Sequence, residues 1–183
     1  MKNMSVSRLR FFSASLVLAF GFTSISSTTH AIDSEELARS VTQDYNDRLG
    51  ALFTHFHRNP ELSFMETKTA KKLADELRKS GFTVTEKVGG TGIVAILKNG
   101  DGPLVMMRAD MDGLPVEEKS GLSYASTATQ LDPVTQKNFP VMHACGHDVH
   151  ITSLIGTAKQ MIDRKDQWSG TLMLIGQPAE ERV

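Results

Sequence analysis

The sequence predicts an α/β protein, a three-layer α/β/α arrangement around a mixed, mostly parallel sheet. Three observations carry this expectation. Segments with helical spacing alternate with short segments rich in Val and Ile, the pattern of strands joined through helices. The stretch Asn99-Gly100-Asp101-Gly102 has hairpin-turn chemistry, so the sheet should include an antiparallel pair. Residues 141–150, read V-M-H-A-C-G-H-D-V-H, lie between an extended stretch and a helical pattern. Open α/β sheets place their sites at such strand-to-helix connections.

Residues 1–31 stand apart from this plan. Lys2, Arg8 and Arg10 precede an apolar run over 11–22, too short to span a bilayer as a helix. Thr29-His30-Ala31 then offers a cleavage site. The layout predicts a signal peptide over 1–31, no stable membrane anchor, and a periplasmic or secreted product of residues 32–183. Cleavage removes three of the 20 basic residues and none of the 21 acidic ones, leaving 17 against 21 and a net charge of −4. The length that remains suits one domain. No basic patch is present, which argues against a nucleic-acid partner. The single cysteine excludes an internal disulfide, and an odd thiol in an oxidising compartment needs another use, such as a metal bond.

Asp33 with Glu36 resembles a capping box, and Leu37, Val41, Tyr45, Leu49, Leu52, Phe53 and Phe56 follow at steps of three and four. This predicts a helix over 34–57, ended by Asn59-Pro60. A second helix is predicted over 67–80, with Ala70, Leu73, Ala74 and Leu77 inward and Gly81 as its stop. Strands are predicted over 82–88, 92–98 and 103–108. The last is apolar on both faces, which predicts a central place in the sheet. Residues 120–140 show no regular pattern and predict a long loop. A helix is predicted from Asp148, as N-cap, to about residue 164, followed by a buried strand over 171–175.

His143, Cys145 and His147 fall at i, i+2 and i+4. In extended chain such side chains share a face, so the three could meet one borderline-soft divalent ion. The plainer alternative is a buried Cys with two surface histidines. Asp110 and Asp112 stand just beyond 103–108. They suit metal ligation, the orientation of a histidine ligand, or a solvated turn. Glu180 and Glu181 follow the last strand. Neighbours in extended chain point oppositely, which fits one ligand and one general base, or two exposed glutamates. Three such clusters at three strand exits fit a metal-assisted hydrolase.

Four motifs occur in order: H-R-N-P-E-L-S-F (57–64), R-A-D-M-D-G-L-P (108–115), M-H-A-C-G-H-D (142–148) and Q-P-A-E-E (177–181). Together they resemble the amidohydrolase branch of metallopeptidase family 20, which includes hippurate hydrolases, N-acyl-amino-acid hydrolases and indole-acetyl-amino-acid hydrolases. The resemblance covers nearly all of 32–183. It implies a zinc-peptidase-like fold, with Cys145, His147 and Glu181 as metal ligands, Glu180 as general base and Asp112 as the aspartate that orients the catalytic centre. It implies one or two divalent ions per site, zinc or manganese, with nickel or cobalt also usable. The substrate it implies is a small-molecule N-acyl amino acid or small peptide.

Asp110 stands where more distant members have a ligand histidine and is not assigned as a ligand. His57 and Arg58 belong to the signature without a chemical role, and His143 and His150 are read as supporting residues. Asn59 and Val149 depart from the motifs, where His and Gly are more usual; neither touches a proposed ligand. Family members are about twice as long, and the full-length relatives are expected to be homodimers. The resemblance therefore implies that 32–183 is the N-terminal portion of the catalytic domain, without the lid or dimerisation domain, truncated and inactive by itself. Two other readings stay open. One is a non-catalytic metal-binding or partner-binding remnant of a broken gene. The other is a thiol enzyme using Cys145 with His147 or His143, which leaves the Asp and Glu pairs unexplained.

Overall fold

The computed structural model describes residues 33–182; the signal-peptide expectation lies outside them. Helix α1 (Ser34–Asp44) starts where Asp33 accepts the Glu35 N–H at 2.9 Å. The helix expected over 34–57 is one rod with a change of pitch. It runs through a π turn (Tyr45–Leu49) into α2 (Gly50–Arg58). The wider turn re-aims the apolar stripe: α1 buries nothing, whereas α2 buries Leu52, Phe56 and His57. Helix α3 (Thr67–Lys79) takes its cap from outside its own start. The Glu61 carboxylate accepts the Thr69 N–H at 2.7 Å and the Lys68 N–H at 3.2 Å, a negative charge at the positive end of a helix.

The strands are β1 (Thr83–Val88), β2 (Gly92–Asn99), β3 (Leu104–Asp110), β4 (Thr129–Asp132), β5 (Lys137–Pro140) and β6 (Gly170–Gln177). The main sheet has the order β1-β2-β6-β3. It is mixed, as expected, but the balance differs from a mostly parallel sheet: β1–β2 and β2–β6 are antiparallel, and only β6–β3 is parallel. Residues 103–108, expected to be central, form β3, an edge strand among the described residues. The turn at 99–102 does reverse the chain, but it closes no hairpin, because β6 lies between β2 and β3. The physical reason is the crossover. Helix α4 (His147–Asp163) joins β3 to β6, and a β-α-β connection delivers its second strand parallel to its first. Turn chemistry at 99–102 cannot register a strand that arrives so much later.

Inner positions Ile93, Ala95, Ala109, Leu172 and Leu174 form one core with Leu73 and Leu77 of α3 and Ile151, Leu154 and Ile155 of α4. Each Leu and Ile side chain among them contributes about 1.5–3 kcal/mol on burial. Gly176 allows the close fit: a Cβ there would lie 2.8 Å from Met111 Sδ and 2.9 Å from a Leu73 methyl. On the outer face Ile96, Met173 and Met106 make one row across three strands, with Ile96 and Met106 39% and 57% exposed. Of the three layers expected, two are therefore present among the described residues, because α2, α3 and α4 all pack on the inner face. The apolar outer side of β3, which signalled a central strand, is exposed among the described residues.

Residues 120–140, expected to be irregular, contain the β4–β5 hairpin. Its turn is built by Asp132, which accepts the Val134 N–H at 2.9 Å and the Thr135 hydroxyl at 3.1 Å. Among the described residues no helix is long and apolar enough to cross a membrane.

Candidate metal centre

Parallel strands β3 and β6 end together, Asp110 opposite Gln177, so both chains leave the sheet at one edge. The residues after β3, the residues after β6 and the start of α4 meet there. Helix α4 begins at His147, with Gly146 before it at φ 79, a left-handed backbone that favours glycine. Asp148 is thus not the N-cap but the second helical residue, and it accepts the Val149 N–H at 2.9 Å.

His147 is buried, and its Nδ1–H donates to the Asp112 carbonyl at 2.8 Å. That bond fixes the ring and leaves Nε2 free, the arrangement of a metal-ligating histidine. Around Nε2 stand Glu180 Oε2 at 3.6 Å, Glu181 Oε1 at 3.8 Å and Asp110 Oδ2 at 3.9 Å. These are too long for hydrogen bonds. Two ligand atoms on one tetrahedral zinc, each about 2.1 Å from it, are about 3.4 Å apart. The observed separations therefore fit a shared cation. Glu181 Oε1 is buried without a hydrogen-bond partner, a cost of about 1–3 kcal/mol that a bound cation relieves.

Asp112, fully buried, holds the rim together. It accepts the Ser63 hydroxyl at 2.6 Å, the Glu181 N–H at 3.0 Å and the Glu180 N–H at 3.2 Å. The two glutamates were expected to point oppositely. Instead both carboxylates reach toward His147, because the chain is not extended here: Ala179 sits at φ 55, turned, with its N–H held by Glu66 at 2.7 Å. Glu181 is the more enclosed side chain, 16% exposed against 41% for Glu180.

The i, i+2, i+4 convergence of His143, Cys145 and His147 does not occur, because the extended segment turns at Gly146 and becomes helix. Among the described residues, two sets have ligand atoms close enough to share an ion: His147 with Glu180 and Glu181, and His147 with Asp110 and His150. Neither contains Cys145 or His143. Cys145 is exposed, and the neighbouring Glu181 carboxylate, with burial and the surrounding acids, pushes its thiol upward. This is the wrong direction for a thiolate nucleophile. His143 is buried with neither ring nitrogen bonded.

Electrostatics follow the geometry. Burial pushes Asp112 upward, but hydrogen bonds from His147, Ser63 and the Glu181 backbone outweigh it and bring the carboxyl to about 2. Burial works against a charged His147, but bonding to Asp112 and the charges of Asp110 and Asp112 raise it to about 9. Burial takes His143 down to about 4.

Sequence reasoning passed over Ser63, Glu61 and Glu66. Glu66 is fully buried and accepts the N–H groups of Ala179 and Phe64 and the Thr91 hydroxyl. The available signal was two acids, Glu61 and Glu66, flanking Leu62, Phe64 and Met65 ahead of a helix.

A cation held over the strand ends beside carboxylates able to move a proton is the working part of the metal-dependent hydrolases. The profile of peptidase family M20/M25/M40 matches residues 106–183. The chain is 44% identical over 126 residues to hippurate hydrolase of Campylobacter jejuni, covering 68% of this chain and 30% of that one. It is 41% identical over 152 residues to thermostable carboxypeptidase 2 of Saccharolobus solfataricus, covering 82% of this chain and 36% of that one. Among solved structures it is similar to the Bacillus subtilis YXEP protein, described as a dinuclear metal binding peptidase of family M20. The identity is 36% and the TM-score 0.65, with 76% of this chain and 36% of that chain covered. The chain spans about a third of the length of the curated relatives it matches.

Proposed function

We propose that residues 32–183 form the N-terminal portion of the catalytic domain of an exported, metal-dependent amidohydrolase that cleaves N-acyl amino acids or small peptides. The observation that carries this is His147 Nε2, 3.6 Å from Glu180 and 3.8 Å from Glu181, with Asp112 bound to the main chain of both. The similarity to a hippurate hydrolase supports the acyl-amino-acid substrate. Cys145, His147 and Glu181 would hold the ion, zinc or manganese. A bound divalent ion acidifies water and polarises an amide carbonyl. Glu180, the more exposed carboxylate, takes the water proton at Oε2 and returns it to the leaving amine. Asp112 keeps the His147 ring and both glutamates in register.

A second reading, a metal-binding chain that is not by itself a catalyst, is favoured by the exposed apolar row Ile96–Met106 on the outer sheet face. Two measurements decide between them. Metal content after loading with zinc or manganese should fall in Cys145→Ser and Glu181→Gln and survive in Glu180→Gln. Hydrolysis of hippurate and a panel of N-acyl amino acids is expected to be negligible for residues 32–183 alone; metal-dependent turnover abolished by Glu180→Gln would make the chain a catalyst as it stands. Export is tested by the mass of protein recovered from periplasm or medium, which should start at or near residue 32.

A further inference from the structure

We infer that His57 is a positioning residue for the metal loop: it bridges Asp148 to Glu118 and so holds the first turn of α4, on which His147 stands. The role rests on the metal reading above and extends it to a residue of the 57–64 motif.

His57 is buried at the end of α2. Its Nδ1 lies 2.6 Å from Asp148 Oδ2 and its Nε2 lies 3.1 Å from Glu118 Oε1. Both carboxylate side chains are almost fully enclosed, 3% and 1% exposed. With an acceptor at each nitrogen, the ring is a clamp between two segments rather than a surface side chain. Phe53 and Tyr124 enclose it, with ring centroids 5.6 Å and 5.2 Å away.

Helix α4 needs such a clamp. Its N-cap is Gly146, which has no side chain to offer the orphan N–H groups of the first turn. Asp148 reinforces that turn: Oδ1 shares the Val149 N–H with the Gly146 carbonyl, and Oδ2 is held by His57. Both oxygens of the residue following His147 are therefore fixed. The other arm, Glu118, also accepts the Ser126 N–H, and the Ser126 hydroxyl donates to Val141 O at 2.7 Å. His57 thus ties both ends of the segment that carries Cys145 and His147: Val141 through Glu118 and Ser126, and α4 through Asp148. Neither Asp148 nor Glu118 belongs to a set of groups close enough to share an ion, so the pair serves support.

The test is cobalt(II) binding by the full chain, by competition with a chelator and by the thiolate-to-cobalt absorption that Cys145 would give. His57→Ala and Asp148→Asn should each weaken cobalt roughly 10–100-fold, the usual cost of losing the partner that orients a ligand. The double variant should be no weaker than the worse single one, because both changes break one link. Cobalt affinity and absorption unchanged in His57→Ala, with only the metal-free unfolding midpoint lowered, would overturn the positioning role and leave His57 a core residue. If His57→Ala does not fold, His57→Gln and the isosteric Asp148→Asn carry the same comparison. No cobalt binding by the parent chain would overturn the metal reading itself and this role with it.

Discussion

Replacing Glu66 by Ala should destabilise the chain more than any surface change and should loosen the metal rim first. The Glu66 side chain is fully buried, and one oxygen accepts the N–H groups of both Ala179, at 2.7 Å, and Phe64, at 3.0 Å, while the other accepts the Thr91 hydroxyl. Removing the carboxylate leaves two main-chain donors without a partner. Bonds to a charged acceptor contribute about 1.5–3 kcal/mol each, so the expected loss is about 3–6 kcal/mol, or roughly 6–24 °C in Tm for a domain of this size. Ala179 and Phe64 also sit at φ 55 and φ 64, left-handed for non-glycine residues. The carboxylate holds that strain in place. Glu66→Gln keeps the acceptor oxygen and should lose only about 1–2 kcal/mol. The assay is urea unfolding of parent, Glu66→Ala and Glu66→Gln, with cobalt affinity measured in parallel. An Ala variant within 1 kcal/mol of the parent would refute the reasoning, as would Gln and Ala variants of equal stability.

The remaining predictions concern protons and packing. His143 has its pKa depressed from 6.5 to about 4 by burial. The unfolded chain therefore binds its proton first, and stability is lost as pH falls from 6.5 through 4. The loss is about 2 kcal/mol by pH 5, and it should flatten in His143→Leu when unfolding midpoints at pH 7 and 5 are compared. His147 behaves oppositely. Its pKa is raised to about 9, so its contribution to the metal-free chain is full below 6.5 and is lost as pH rises through 9. A metal must displace that proton and, if Cys145 ligates, the thiol proton as well. Zinc titrated into weakly buffered protein at pH 7 should release about two protons, and about one in Cys145→Ser; equal release from both would remove Cys145 from the ligand set. Gly176→Ala would push a methyl to 2.8 Å from Met111 and 2.9 Å from Leu73 and Ile93 and should cost about 1–3 kcal/mol by overpacking, read as a lower thermal midpoint.

Local signals located the chemistry in the sequence. The helix over 67–80, the helix after Gly146 and the strands either side of 99–102 are legible because apolar spacing and turn residues act over a few neighbours. The acid and histidine clusters could be seen at strand exits, and four motifs in order pointed to the family whose profile matches residues 106–183. Tertiary structure decided what depends on distant partners. The insertion of β6 between β2 and β3 placed residues 103–108 at the sheet edge, since an apolar strand looks the same wherever its partners lie. Strand alternation would aim Glu180 and Glu181 apart. A single turned residue, Ala179, held by a carboxylate 113 positions earlier in the chain, aimed both at His147. Asp112 became the hub of the rim through bonds to Ser63 and to the main chain after β6, and His57 acquired Asp148 and Glu118 as partners. Such pairings cross long stretches of sequence, and only the packed chain, where unpaired buried polar groups are costly, selects them.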